Sequence, residues 1–304
     1  MLHQYRSQEL SHITVTFIIE MSVSTVNDTS TPPPISLVDL SEQGDHVGQY
    51  VHIFTASFSI NIILGLPTKV YILWLILTGA GGTMASEFFS LNLTVSEILF
   101  CLFNTVSVAD LYTQSDFVHK ASHFSFGLVF SGRPLFQCCI CVERYLAVVH
   151  PVVFLKYKPL RYRVGCCSVV WLMVLGSCCL CLFELFSPPF VYSLFVQTMI
   201  YVLLMSFCCL SVLWALKRPG PGDGDREGTN SIKMKAFKII LILLVYVVIP
   251  HLQVALMALT RSCIPYVEFV LGMSICFCIC VISGFVQPLL YLHRVGKLPF
   301  IRGL

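Results

Sequence analysis

Charge is what this chain has least of. Only 12% of its 304 residues are Asp, Glu, Lys or Arg, against about a quarter in a soluble domain. Polar residues to cover a core are also scarce: 56% of the chain is hydrophobic and its mean hydropathy is +0.81. One soluble core is excluded on those numbers, and so are disordered, collagen-like and coiled-coil chains. The net charge of +3 is too small to point to nucleic acid. Enzyme motifs are missing as well. There is no HExxH, no GxSxG and no phosphate loop, since Gly79–Gly82 lacks a following Lys-Ser/Thr. Asp223-Gly224-Asp225 is too short for a calcium loop. No cofactor is expected. Of 15 cysteines, 14 lie in apolar runs, with no histidine at metal-site spacing. The ten from Cys138 to Cys209 read as small, polarizable packing residues. Cys263, alone in a loop, reads as a free thiol.

What is present is a series of long apolar runs. A span needs about 20 mostly apolar residues. Seven fit: residues 50–78, 87–112, 120–149, 164–186, 190–216, 233–260 and 265–292. Turn chemistry separates them at Gly79–Gly82, Ser187-Pro188-Pro189 and Pro219–Gly224. The chain therefore reads as an all-α membrane protein, a seven-helix bundle. Of 19 Lys and Arg, 14 fall on one side, whereas the first 48 residues carry only Arg6. Positive charge marks the inner side, which puts the N-terminus outside and the C-terminus inside. The expected organisation is an outer segment 1–48, a bundle 49–293 and a short inner tail 294–304. Asn27-Asp28-Thr29 is then an outer glycosylation sequon. Residues 1–20 make a poor signal peptide, and Met21 is a natural alternative start, so they read as a gene-model extension.

Glu143-Arg144-Tyr145 closes the third run and is followed by Leu-Ala-Val-Val-His-Pro151. Trp171 lies in the fourth run and Pro250 in the sixth. Gln287-Pro288-Leu-Leu-Tyr291 ends the seventh, and Gly65-Leu66-Pro67-Thr68 lies in the first. Taken together these motifs resemble the class A, rhodopsin-like G-protein-coupled receptors, in their purinergic, protease-activated and lipid-receptor branch. The resemblance covers about residues 50–298. It implies a plasma-membrane receptor that passes an outer ligand's binding to a heterotrimeric G protein. It also implies that Arg144 pairs with Glu143 at rest and meets the G protein when active. Pro250, Gln287, Pro288 and Tyr291 would be switch positions, and Lys156–Arg163 and the inner-loop lysines Lys233 and Lys235 would flank the coupling cavity or anchor to acidic membrane lipid.

The departures from that pattern carry information. The family's first-helix asparagine, second-helix aspartate and small polar third-helix residue help to form a sodium pocket. Here those positions are Lys69, Glu97 and Arg133. Read without any family, all three are ionisable and deep in their runs, with Arg133 about 16 Å above Arg144. Charges near a bilayer midplane are costly and pair within a bundle. A buried Lys–Glu–Arg cluster is therefore expected. The alternative leaves only Glu97 and Arg133 paired, with Lys69 directed inward to the membrane surface. Other switches are altered: Val248 and Gln287 replace the usual tryptophan and asparagine, and His119 replaces the cysteine of the family's outer disulfide.

Helical spacing aligns Phe126, Phe130 and Arg133, with His251 and Phe277 opposite, as an aromatic pocket for an outer ligand. Each aromatic has the alternative of simple core packing. Phe126 stands where amine receptors carry an acid, and no Lys or Arg lies in the outer parts of runs six and seven. A lipid, peptide or protein ligand is therefore expected over an amine or a nucleotide. A receptor-fold protein with weak or no signalling (a decoy, a partner subunit or a decayed paralogue) is the rival reading. A transporter is a weaker one, because the chain has no similar halves.

Overall fold

A computed structural model of the chain describes residues 52–53, 55–79, 82, 87–110, 115–184, 188–217, 245–246, 248–260 and 263–294. Asn27, Lys233, Lys235 and the tail beyond Arg294 lie outside the described residues. Among those described, all regular structure is helical. The helices are α1 (Thr55–Leu77), α2 (Phe88–Asp110), α3 (Asp116–Val149), α4 (Leu160–Glu184) and α5 (Pro188–Lys217). They continue with α6 (Val248–Thr260) and α7 (Tyr266–Ser283, then Val286–Arg294 after a break). A short helix, Pro151–Tyr157, links α3 to α4. Six of the seven are long and apolar enough to cross a membrane, and the described part of α6 is shorter. In hydrocarbon each backbone N–H and C=O must be paired within its own segment, so apolar runs of this length fold as helices.

Two prolines shape the interior. Pro67 and Pro134 each follow a π-helical turn, Asn61–Gly65 and Leu128–Gly132. A proline has no N–H, and its ring pushes against the carbonyl four residues back. A wider turn absorbs that mismatch. Here Leu66 N–H donates to Asn61 O and Arg133 N–H to Leu128 O, each five residues back. The α3 turn ends at Gly132, where an added Cβ would lie 2.7 Å from Ser96 Oγ. That glycine lets α2 approach closely and delivers Arg133 to the bundle centre.

Small residues and hydrogen bonds join the helices, as the absence of a hydrophobic driving force within lipid requires. Gly127 of α3 touches the α4 backbone, and a Cβ there would lie 2.5 Å from Cys178 Cα. Ser131 Oγ donates to Ser177 Oγ at 2.7 Å and accepts from Gln197 Nε2 at 2.8 Å, linking α3, α4 and α5. Trp171 Nε1 donates to Asn92 Oδ1 at 2.9 Å, tying α4 to α2. Phe58, Phe100, Phe126, Phe136 and Phe277 fill the core between α1, α2, α3, α4 and α7.

The α3–α4 crossing yields an internal comparison. Gly127→Ala should lower the melting temperature in detergent, because overpacking against backbone costs about 1–3 kcal/mol. Gly176→Ala, whose Cβ meets nothing within 4 Å, should be neutral or stabilising. Equal melting temperatures for the two variants would contradict this contact.

Candidate functional site

The centre of the bundle holds three ionised side chains. Lys69 (α1), Glu97 (α2) and Arg133 (α3) are 2%, 9% and 4% exposed. Arg133 meets the carboxylate as a fork, with Nε donating to Glu97 Oε1 and Nη2 to Oε2 at 2.8 Å. Lys69 Nζ lies 2.9 Å from the same Oε2. Glu97 therefore binds both cations at once. Lys69 is not directed to the membrane surface, since its ammonium also donates to Asn61 Oδ1 at 3.0 Å and Cys101 Sγ at 3.2 Å.

One acid and two bases leave an excess positive charge, and a buried charge needs acceptors. Asn61 and Cys101 serve Lys69. For Arg133 the acceptor is the Cys280 carbonyl on α7, which takes Nη1–H. That carbonyl also accepts from Ser283 Oγ at 2.7 Å and Gly284 N at 3.2 Å. Pro288, four residues after Gly284, lacks the N–H that would continue the helix, so α7 opens here. A Cβ on Gly284 would sit 2.6 Å from Arg133 Nη2. Four helices thus meet on one ion cluster.

Beneath the cluster lies a cavity of about 400 Å³, lined by Lys69, Glu97, Arg144, Gln287, Pro288 and Tyr291 among others. Arg144 is exposed in its wall. The pairing with Glu143 that the resemblance implies is replaced: Glu143 pairs with Arg163 of α4 at 2.5 Å. Arg163 is therefore buried in that pair rather than free to flank the cavity or meet lipid, whereas Lys156 and Lys158 are exposed. Tyr145 OH lies 3.1 Å from His150 Nε2. Tyr291 packs with Ile72, Leu75 and Ile76 of α1.

Above the cluster the bundle is closely filled. Phe126 stacks on Phe130 with centroids 6.0 Å apart, and Phe277 packs against Phe58, Phe100 and Phe126. Phe130, Arg133, Pro250 and His251 line a space of only about 20 Å³, room for about one water. Phe126 and Phe277 therefore sit in the core as described, and His251 and Phe130 border that space. His119 lies within α3. Cys263 is exposed, and none of the fifteen cysteines forms a disulfide.

Sequence reading missed Asn61, the Cys280 carbonyl and Gly284. The π turn that carries Asn61 was signalled only by Gly65 and Pro67, and a backbone acceptor has no signature in residue type.

The geometry ranks the charge variants. Removing one partner of a buried pair costs about 3–5 kcal/mol. Glu97→Gln strands two cations and should reduce surface expression and detergent stability most. Arg133→Met leaves Glu97 with Lys69 and should cost less. Glu97→Gln combined with Arg133→Met should recover part of the loss. A double-mutant cycle over Lys69, Glu97 and Arg133 measures this, and additive effects at all three would contradict the cluster.

Comparison with known proteins identifies the family. Residues 68–291 match the family model of the 7 transmembrane receptor (rhodopsin family). The chain is similar to purinoceptor 3 of Gallus gallus, 28% identical over 129 residues, which is 40% of this chain and 39% of that protein. It is also similar to G-protein coupled receptor 183 of Homo sapiens, 25% identical over 158 residues, 48% of this chain and 42% of that protein. Purinoceptor 8 of Gallus gallus is 25% identical over 126 residues, 37% and 33% of the two chains. The matches span about one third to two fifths of these relatives' length. The family match covers most of the chain, from the start of α1's second half to Tyr291. This multi-pass membrane protein belongs to the rhodopsin family of seven-transmembrane receptors.

Proposed function

We propose that the chain is a plasma-membrane receptor, N-terminus outside, that couples an outer lipid, peptide or protein ligand to a heterotrimeric G protein. The observation that carries this reading is the inner cavity of about 400 Å³ with Arg144 exposed in its wall. A family member transmits by exchanging two helix packings, and a ligand shifts that equilibrium by binding one packing better. In this chain Arg144 is the cation that a G-protein α subunit would meet. Glu143 is held to α4 by Arg163, so the arginine does not have to leave its neighbour first. Pro250, Gln287, Pro288 and Tyr291 border the moving parts, and Lys233 and Lys235 would flank the mouth.

The purinoceptor names belong to the relatives. Phosphates are held by Arg and Lys, and the described outer turns of α6 and α7 carry neither, while Glu268 is exposed there. Lys120, on outer α3, pairs with Asp116 at 2.7 Å. A nucleotide is therefore disfavoured. A second reading, a receptor fold that does not signal, draws on the space of only about 20 Å³ above the cluster and on Val248 and Gln287 at altered switch positions.

Co-expression with individual Gα subunits, read as basal and ligand-stimulated nucleotide exchange, tests both readings. At least one subunit should respond. Arg144→Ala, at matched surface expression, should reduce the response by roughly tenfold or more, the loss of one or two charge-assisted hydrogen bonds. Silence with every subunit and ligand class would favour the second reading. An unchanged response in Arg144→Ala would remove the proposed role of that residue.

A further inference from the structure

The cysteines of α3 are arranged in a way that packing alone does not require. Cys139 and Cys141 are two residues apart, so they face opposite sides of the helix. Cys139 Sγ lies 4.0 Å from Cys166 Sγ of α4. Cys141 Sγ lies 3.9 Å from Cys209 Sγ of α5. Cys138 and Cys208 belong to the same apolar cluster as the second pair, with Tyr201 and Met205. Among the described residues no three His, Cys, Asp or Glu side chains converge to hold a metal ion. What the geometry offers is therefore a bond between two thiols.

We propose that Cys141 and Cys209 are an oxidant-sensitive thiol pair whose disulfide staples α3 to α5 beside the inner cavity. Disulfide sulfurs lie about 2.05 Å apart, so each sulfur here needs to move by about 1 Å, within the reach of side-chain rotation. Access separates the two pairs. Cys141 and Cys209 both line the inner cavity, through which a small aqueous oxidant reaches them. Cys166 is on the exposed face of an apolar helix, where lipid lies.

Hydrogen peroxide is the oxidant class. It converts one thiol to a sulfenic acid and releases one water. The second thiol attacks that sulfur, the S–S bond forms, the S–O bond breaks and a second water leaves. Two thiols and one peroxide give one disulfide and two waters, with both electrons passing from sulfur to the peroxide oxygens. Buried thiols react slowly, so the pair requires more oxidant than the exposed Cys263. Arg144 lies one turn beyond Cys141 on α3. The bond would hold α3 and α5 together where the coupling proposed above needs them to rearrange. That consequence rests on the coupling reading, while the bond itself does not.

Peptide mapping of the full-length chain in lipid nanodiscs, after graded hydrogen peroxide and alkylation of remaining thiols, tests the proposal. Cys263 reports that the oxidant was effective. The expected result is a cross-linked peptide joining Cys141 to Cys209, reversed by dithiothreitol and absent in Cys209→Ala. The mapping needs only the wild-type chain, so poor folding of the variant leaves it decisive. Cys141 and Cys209 still fully alkylated at peroxide doses well beyond the one that consumes Cys263 would overturn the proposal. So would a bond from Cys141 to Cys208 or from Cys138 to Cys209. In cells, peroxide should lower G-protein activation by the wild type at least several-fold more than by Cys209→Ala. A bonded receptor that still signals in full would overturn the stapling consequence. A reduced receptor that activates no G protein would instead count against the coupling reading.

Discussion

One carboxylate carries the centre of this bundle. Glu97 accepts from Arg133 through both oxygens and from Lys69 through one, and the packing around it follows from that arrangement. Two cations on one buried acid leave a charge that lipid cannot solvate. The protein supplies acceptors from its own helices instead: a carboxamide on α1, a thiol on α2 and a main-chain carbonyl on α7. Those acceptors fix the backbone. Gly132 and Gly284 exist where Ser96 and the guanidinium approach. The π turns before Pro67 and Pro134 set the rotation that brings Asn61 and Arg133 inward. Breaking such a pair strands a charge, which is why it organises the fold more than it adds to net stability.

The cluster also divides the molecule by packing. Outward of it, phenylalanines from α1, α2, α3 and α7 pack edge to face, and little space is left. Inward of it, a large cavity opens under Lys69 and Glu97 and runs to Arg144. Under the proposed coupling, a ligand acting from outside would press on this dense aromatic layer. Its route to the inner side would be the guanidinium and the α7 break at Gly284, which touch α2, α3 and α7. A two-state repacking at this joint is the physical element such signalling needs. Where the resemblance implies a sodium pocket, the cations at Glu97 are Lys69 and Arg133, both carried by the chain.

The helices were legible because apolar runs of membrane length have few other solutions. The cluster was legible too, because three charges inside such runs must find each other. Its finer form was not. Whether Lys69 turned inward or joined the cluster depended on Asn61 Oδ1 and Cys101 Sγ, neutral groups that no charge pattern points to. The anchoring of Arg133 on α7 depended on the main-chain carbonyl of Cys280, which takes the guanidinium in addition to Gly284 N and Ser283 Oγ. Glu143 has Arg144 beside it in sequence, yet Arg163 of α4 takes its carboxylate. A helix points successive side chains about 100° apart, and tertiary packing made the choice. The aromatics Phe126 and Phe277 fitted equally a pocket wall and a core, and only three-dimensional packing distinguishes the two.

The central claim is that Arg133 and Lys69 together do the work of a bound cation. Thermal unfolding of the purified chain in sodium chloride and in choline chloride, at equal ionic strength, measures this directly. The account predicts the same melting temperature in both salts. A melting temperature that rises with sodium, saturating over its titration, would mean that a sodium ion still finds a site at Glu97 and would contradict it.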